Sequence, residues 1–343
     1  MSPTDIHRTH NFRSIHYLRA LAAIMVAIFH IFASVKFMSP DLASVRWMQG
    51  GVDIFFVISG FVMVQSTSGR DITPKTFITQ RIQRIVPLYW VATAIMMLQV
   101  SGEWELKLKS LFFIPAMNPK INMVQPIVEP GWTLNYEMFF YAIFACSLLL
   151  RESHRFVAII SVFLLLLMIG PVVSGGEILD FYCRPIIVEF LMGMAIAKFG
   201  IRLPIAALPF AFVIMIALQS VEIDRVCSLG IPAMIIVSSA LSAERHLPTW
   251  KFADFLGSAS YSIYLFHLLA LGAVAEAWPY IGFGKEIFAI TALAFMILFG
   301  CVMYRAVERP MIAFFAARQI AKVSHDAAHS PAMSVFQAPN SRP

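Results

Sequence analysis

Residues 14–35 read SIHYLRALAAIMVAIFHIFASV, and this stretch decides the fold. A helix needs about 20 predominantly apolar residues to cross the hydrocarbon layer of a bilayer. This run is long enough, with Arg19 and His30 as its costly interruptions. A basic leader precedes it, but the run is too long and too polar at those two places for a cleaved signal peptide. It reads as a retained first span.

Nine further stretches follow the same pattern, at about 52–68, 85–101, 131–150, 156–174, 182–199, 203–221, 228–242, 259–278 and 286–307. The eighth is short, and only the turn Gly200-Ile201-Arg202-Leu203-Pro204 separates the sixth from the seventh. The expectation is an all-α, polytopic integral membrane protein with about ten transmembrane helices. Its domains are a membrane domain over 1–317 and a tail over 318–343, rich in Ala, Ser, Pro and His and expected to be disordered.

Composition agrees. Of 343 residues, 59% are hydrophobic and 13% charged, about half the charged share of an average soluble domain. That polar material cannot cover a water-soluble globule of this size. The net charge of +6 lies in short clusters between apolar runs, without the aromatic interleaving of an RNA-binding surface, which argues for lipid and against nucleic acid. Cys146, Cys183, Cys227 and Cys301 form no C-x-x-C pair, so neither zinc nor a disulfide framework is indicated. A single Cys183–Cys227 bridge stays open. With a cytoplasmic N-terminus, sixteen Lys and Arg fall on the inner side and seven on the outer, which places both ends in the cytoplasm. No internal repeat is evident, which disfavours inverted-repeat transporters.

An ionisable group inside a bilayer is a functional candidate, because placing it there costs several kcal/mol, on the order of 3, unless it is paired or wet. Arg19 and His30 are eleven residues apart, which returns a helix to within about 20° of its starting direction, roughly 16 Å further along the axis. They share one face, Arg19 near the cytoplasm and His30 in the outer half. A snorkelling Arg and a His bonded to a neighbouring helix would look the same. Asp53 opens the second span, where a helix N-terminus alone would favour an anion. In the following loop Arg81 and Arg84 stand three apart, within about 60° of each other on a helix, and could grip one phosphate group. An amphipathic linker obeying the positive-inside bias is the rival reading.

The fourth span opens GWTLNYEMFFY over 131–141, putting Glu137 at a depth that matches His30, with Asn135 and Tyr136 beside it. A His30–Glu137 pair follows from those depths. Later spans carry Arg184 and Glu189, then SYSIYLFH over 260–267 with Tyr264 and His267, and lastly Arg305, Glu308 and Arg309. Glu189 and His267 either line one cavity or are satisfied by neighbouring helices. Glu308 and Arg309 read as interface anchors. There is no G-x-x-x-x-G-K-[ST], H-E-x-x-H or G-x-S-x-G, and no His has Asp at the fifth position after it, as the soluble H-x4-D acyltransferases require.

This set of motifs resembles the acyltransferase-3 family of bacterial membrane O-acyltransferases. The match rests on Arg19-x10-His30, Gly51–Phe61, Arg81-x-x-Arg84, Trp132–Glu137, Ser260–His267 and Glu308-Arg309-Pro310, in that order along nearly the whole chain. Trp132-Thr133-Leu134-Asn135-Tyr136-Glu137 departs from the family's frequent Trp-Ser-Leu-x-x-Glu and is closer to the branch that acetylates exopolysaccharides such as succinoglycan. The esterase-like domain that some relatives append is not seen.

The resemblance implies an acyl-CoA donor, usually acetyl-CoA, bound from the cytoplasm, a glycan hydroxyl as acceptor, the bacterial inner membrane as location, and no metal. On that analogy His30 and Glu137 are the catalytic candidates, and Arg19, Arg81 and Arg84 hold the donor. Asp53, Asn135, Tyr136, Glu189, Tyr264 and His267 are further candidates. His30, with an ordinary pKa near 6.5, suits deprotonation of a sugar hydroxyl at neutral pH, and Glu137 would orient it as a carboxylate does in a triad. Other acceptors, a lipid-linked oligosaccharide or a small hydroxyl compound, keep the same chemistry. A proton-coupled transporter relaying through His30, Asp53, Glu137 and Glu189 is the rival of another class, and an export scaffold is a third.

Overall fold

A computed structural model describes residues 12–173, 176–281 and 283–328. The chain is 78% helical. Among the described residues the strands are the two-residue β1 (Met117–Asn118) and β2 (Met123–Val124), paired antiparallel in a small hairpin. Helices occupy all ten apolar stretches: α1 (Arg13–Ser34), α2 (Gly50–Thr67), α3 (Pro74–Gln99), α5 (Gly131–Ser147), α6 (Glu152–Ile169), α8 (Val188–Phe199), α9 (Ala207–Leu218), α10 (Ile231–Ser242), α11 (Lys251–Ala277) and α12 (Lys285–Met303). The short α4 (Trp104–Leu111) and α7 (Glu177–Tyr182) lie between them, and α13 (Arg309–Ala328) follows.

Among the described residues five helical stretches are long and apolar enough to cross a membrane: Arg13–Ser34, Arg46–Thr67, Glu152–Ile169, Lys251–Tyr280 and Lys285–Gln319. The others are shorter or more polar; α8, α9 and α10 have 12 residues each. Large apolar side chains such as Leu164, Leu165, Met168, Phe210, Val213, Ile290 and Leu298 are exposed on the outside of α6, α9 and α12. Apolar exteriors on this scale suit lipid as solvent, and the helices keep their backbone polar groups paired, as a bilayer demands. The chain is a multi-pass membrane protein.

Local chemistry sets the boundaries. Thr73 caps α3, its hydroxyl oxygen accepting from the Thr76 amide at 3.2 Å, with Pro74 in the first turn. The segment carrying Arg81 and Arg84 is therefore not a separate linker but the first half of a 26-residue helix that runs on through Pro87. The helix expected over 182–199 is broken: Arg184 is extended (φ −74°, ψ 145°) ahead of Pro185, as a residue before proline prefers, and α8 starts only at Val188. Arg184 therefore stands at a break between helices rather than within one. At the other end α13 continues to Ala328, so no break falls at residue 318; residues 329–343 of the expected tail lie outside those described.

The core is built round α2, which packs on α8, α1 and α10, while α11 packs on α1 and α12. Two glycines set the α2–α8 contact. A Cβ on Gly60 would overlap the Phe190 carbonyl oxygen, and one on Gly193 the Val57 carbonyl oxygen, so only glycine lets these backbones meet. This approach fixes the rotation of α2, and with it the directions in which Asp53 and Ser59 point.

Candidate active site

Two chambers open beside α1, one at Arg19 and one at His30. The first, the arginine pocket, measures about 780 Å³ including its open mouth and gathers Arg19 from α1, Arg81 and Arg84 from α3, Glu137 and Tyr141 from α5, and Tyr261 from α11. Arg19 Nε donates to Ser260 Oγ at 3.2 Å. Arg81 Nη2 donates to Ser66 Oγ at 3.3 Å, and its guanidinium lies over the rings of Phe77 and Tyr141, 5.2 and 5.9 Å from their centroids. Arg81 Nε is buried with no partner. Among the described residues none of the three guanidiniums forms a salt bridge. Three cations face one carboxylate in a half-apolar cavity, which leaves donors and charge for a polyanion.

The second chamber, the histidine cleft, measures about 1460 Å³ including its open mouth. Its wall carries His30, Gln49, Asn122, Gln125, Glu129, Trp132, Phe181, Arg184 and Arg225, a mixture of amides, charges and aromatic faces that suits a polyhydroxyl ligand. Val52 and Tyr264 line both chambers and form the partition between them. The Tyr264 hydroxyl is held by Thr133 Oγ1 at 2.8 Å and the Pro130 carbonyl at 3.2 Å, and its ring meets Phe55 edge-on at 5.5 Å.

The expected His30–Glu137 pair does not form. Glu137 accepts from Ser59 Oγ at 3.1 Å and from the Tyr141 hydroxyl, and it belongs to the arginine pocket. The carboxylate near His30 is Glu129, with Oε1 3.8 Å from Nε2. Matched depths fix only position along two helix axes. Rotation is set by packing, and α5 turns Glu137 toward α2, on the same face as Tyr141 four residues on. Glu129 sits in the loop just ahead of α5, outside the apolar helical pattern.

The remaining candidates divide clearly. His267, buried on α11, touches His30: its Nε2 is 3.1 Å from His30 Nδ1, with ring centroids 4.7 Å apart. Glu189 is nowhere near it. Wholly buried, Glu189 lies against the carboxylate of Asp53, and no donor group of the protein serves its oxygens. Asp53 owes its place to more than a helix end. Arg225 clasps it twice, Nε to Oδ1 at 3.1 Å and Nη2 to Oδ2 at 2.6 Å. Nothing in the local sequence around Arg225 marks it as the partner of Asp53. Tyr136 and Asn135 reach neither chamber. The Tyr136 hydroxyl donates to the Phe181 carbonyl at 2.5 Å and its ring stacks on Phe181 at 4.2 Å, so it supports the floor of the cleft. Asn135 is buried, and its side-chain oxygen has no partner. Glu308 accepts from Ser262 Oγ at 2.5 Å and fastens the end of α12 to α11. The supposed proton relay is dispersed: His30, Glu137 and the Asp53–Glu189 pair occupy three separate places. All four cysteines are free.

The helical membrane body thus carries an arginine-lined pocket and a histidine-bearing polar cleft that share Val52 and Tyr264 in their walls. A family model for an acyltransferase domain matches residues 12–306, and the chain belongs to that family, acyltransferase-3. It is also similar to the exopolysaccharide production protein ExoZ of Rhizobium meliloti, with 36% identity over 290 residues, covering 79% of this chain and 91% of the relative. No solved structure matches.

Proposed function

We propose that this protein moves an acyl group, acetyl in the first instance, from a cytoplasmic acyl-CoA to a hydroxyl of an exported or surface polysaccharide. One observation carries the reading: two chambers of opposite chemistry share the thin partition of Val52 and Tyr264. Arg19, Arg81 and Arg84 bind the phosphates of the donor on one side. His30 serves the acceptor on the other. The protein spans the bacterial inner membrane about ten times, with both termini in the cytoplasm, as the distribution of Lys and Arg supports. The name of the similar Rhizobium meliloti protein supports an exopolysaccharide as acceptor.

In this reaction His30 takes the proton of the acceptor hydroxyl as its oxygen bonds to the thioester carbonyl carbon. The carbon–sulfur bond then breaks, and His30 passes the proton to the departing sulfur. The products are an O-acyl ester and free CoA thiol, and His30 is restored. The test compares polysaccharide from cells carrying the wild-type protein, His30→Ala protein at equal abundance, and no protein, read by proton NMR for O-acyl signals. The signal should vanish in the variant and in the null. Wild-type acylation by the His30→Ala protein would overturn the proposal.

A further inference from the structure

We infer that His267 is a positioning residue that holds His30 as its Nδ1–H tautomer, so that a bare Nε2 faces the acceptor cleft. The inference rests on the proposed acyl transfer for its functional meaning, but its geometry stands apart from it.

The assignment follows from which atoms can only accept. His267 Nδ1 lies 2.5 Å from the Tyr264 carbonyl oxygen. A carbonyl oxygen has no proton to give, so His267 Nδ1 must carry one, and in a neutral imidazole its Nε2 is then a lone pair. That lone pair points at His30 Nδ1 from 3.1 Å. The other neighbour of His30 Nδ1 is the Val26 carbonyl, one turn back on α1, at 2.9 Å. Both neighbours accept and neither donates. With the proton on Nδ1, His30 satisfies them; with the proton on Nε2, its Nδ1 lone pair would face two acceptors in a buried place.

The consequence lies at the other ring nitrogen. His30 Nε2 has no such neighbour; across the cleft, Glu129 Oε1 is 3.8 Å away. The lone pair is therefore presented where an acceptor hydroxyl would enter. When Nε2 takes the proton, the imidazolium keeps its Nδ1–H on His267, and the charge is shared along Nδ1–H···Nε2 and on to the Tyr264 carbonyl. A catalytic triad uses a carboxylate to set the tautomer of its histidine. In this protein a second imidazole, itself fixed by the backbone, does so, and the nearby carboxylate lies on the reacting side.

The chemistry predicts which replacements suffice. Gln at 267 places an acceptor oxygen near the position of the lost Nε2. Asn occupies the place of Nδ1 and cannot reach His30. The experiment uses the full-length protein in detergent micelles with 15N-labelled histidine, His30 signals being assigned by subtraction of a His30→Ala spectrum. Wild type should show a protonated Nδ1 and a bare Nε2, His267→Gln the same, and His267→Asn a mixture of tautomers. With de-O-acylated exopolysaccharide purified from the host cells, kcat should fall about a hundredfold in His267→Asn, within the usual worth of a general base, while KM for acetyl-CoA stays constant. His267→Gln should restore kcat to within about tenfold of wild type. A protonated Nε2 in wild type, or a His30 tautomer unchanged in folded His267→Asn protein, would overturn the inference. Full activity in His30→Ala protein would instead overturn the acyl-transfer role of His30 and leave the tautomer assignment standing.

Discussion

The Tyr264 hydroxyl meets the hydroxyl of Thr133 at 2.8 Å, a bond between α11 and α5 that closes the arginine pocket from the histidine cleft. Thr133 Oγ1 in turn donates to the Pro130 carbonyl at 2.9 Å, so the closure is tied to the backbone at the start of α5. Removing the phenolic oxygen alone tests what this closure does. Tyr264→Phe should cost about 1 kcal/mol of stability, the ordinary net worth of a buried hydrogen bond, read as a lower melting temperature in detergent. It should also raise the release of free thiol from acetyl-CoA in the absence of acceptor, because water then crosses the partition.

The arginine pocket predicts a split between binding and turnover. A charge-assisted hydrogen bond is worth roughly 1.5–3 kcal/mol, so Arg84→Ala and Arg81→Ala should each raise KM for acetyl-CoA by about tenfold or more with kcat little changed. Arg81→Lys should rescue poorly. The guanidinium stacks as a plane over two rings and presents its donors in a fixed fork, and an ammonium offers neither the plane nor the fork. Initial rates in membrane vesicles at graded donor concentrations measure both parameters.

Glu129 and Glu137 should fail differently. Glu129 is 46% exposed, so its Coulomb attraction for a charged His30 at 3.8 Å is worth about 1 kcal/mol in water, and Glu129→Gln should lower kcat about fivefold. Glu137→Gln should instead shift KM for the donor, since its carboxylate lies among the arginines. The same kinetic assay, with donor and acceptor varied separately, distinguishes them.

The Asp53–Arg225 pair should matter for folding. Breaking a buried ion pair from one side costs about 3–5 kcal/mol, because the surviving charge is stranded. Arg225 is 30% exposed and part of that penalty escapes to water, so Asp53→Asn should cost nearer 2 kcal/mol. Asp53→Asn combined with Arg225→Met should recover much of the loss. Glu189→Gln should be neutral or stabilising, since no donor serves its oxygens and an amide brings its own. Thermal unfolding of the three variants and the wild type in one detergent gives the comparison.

Much of this was legible in the sequence, and the failures have a common cause. Apolar runs located the ten helices from α1 to α12 that they were expected to form, though not α13, and the three-residue spacing of Arg81 and Arg84 anticipated that they would serve one pocket, while Arg19 was added to them by the family resemblance alone. Depth was legible too, since it is counted along the chain. Rotation about the axis was not, and so Glu137 was assigned to His30 when it points at Ser59. Long-range partners supplied by loops were equally hidden: nothing local marks Arg225 as the mate of Asp53, or Glu129 as the carboxylate beside His30. The break at Arg184 was readable after the fact, for Pro185 announces it.

The thin partition has an electrical consequence. A membrane potential that falls across about 30 Å of hydrocarbon in a plain bilayer falls mainly across whatever separates the two aqueous spaces. Where both chambers are wet, that insulator is little more than Val52 and the ring of Tyr264. A mobile charge entering this layer would feel nearly the whole voltage, worth about 2.3 kcal/mol per 100 mV, whereas an acetyl group passes it uncharged. Cells that energise the membrane strongly would then neither drive nor hinder the transfer, and the tyrosine stands as the dielectric of a very small capacitor.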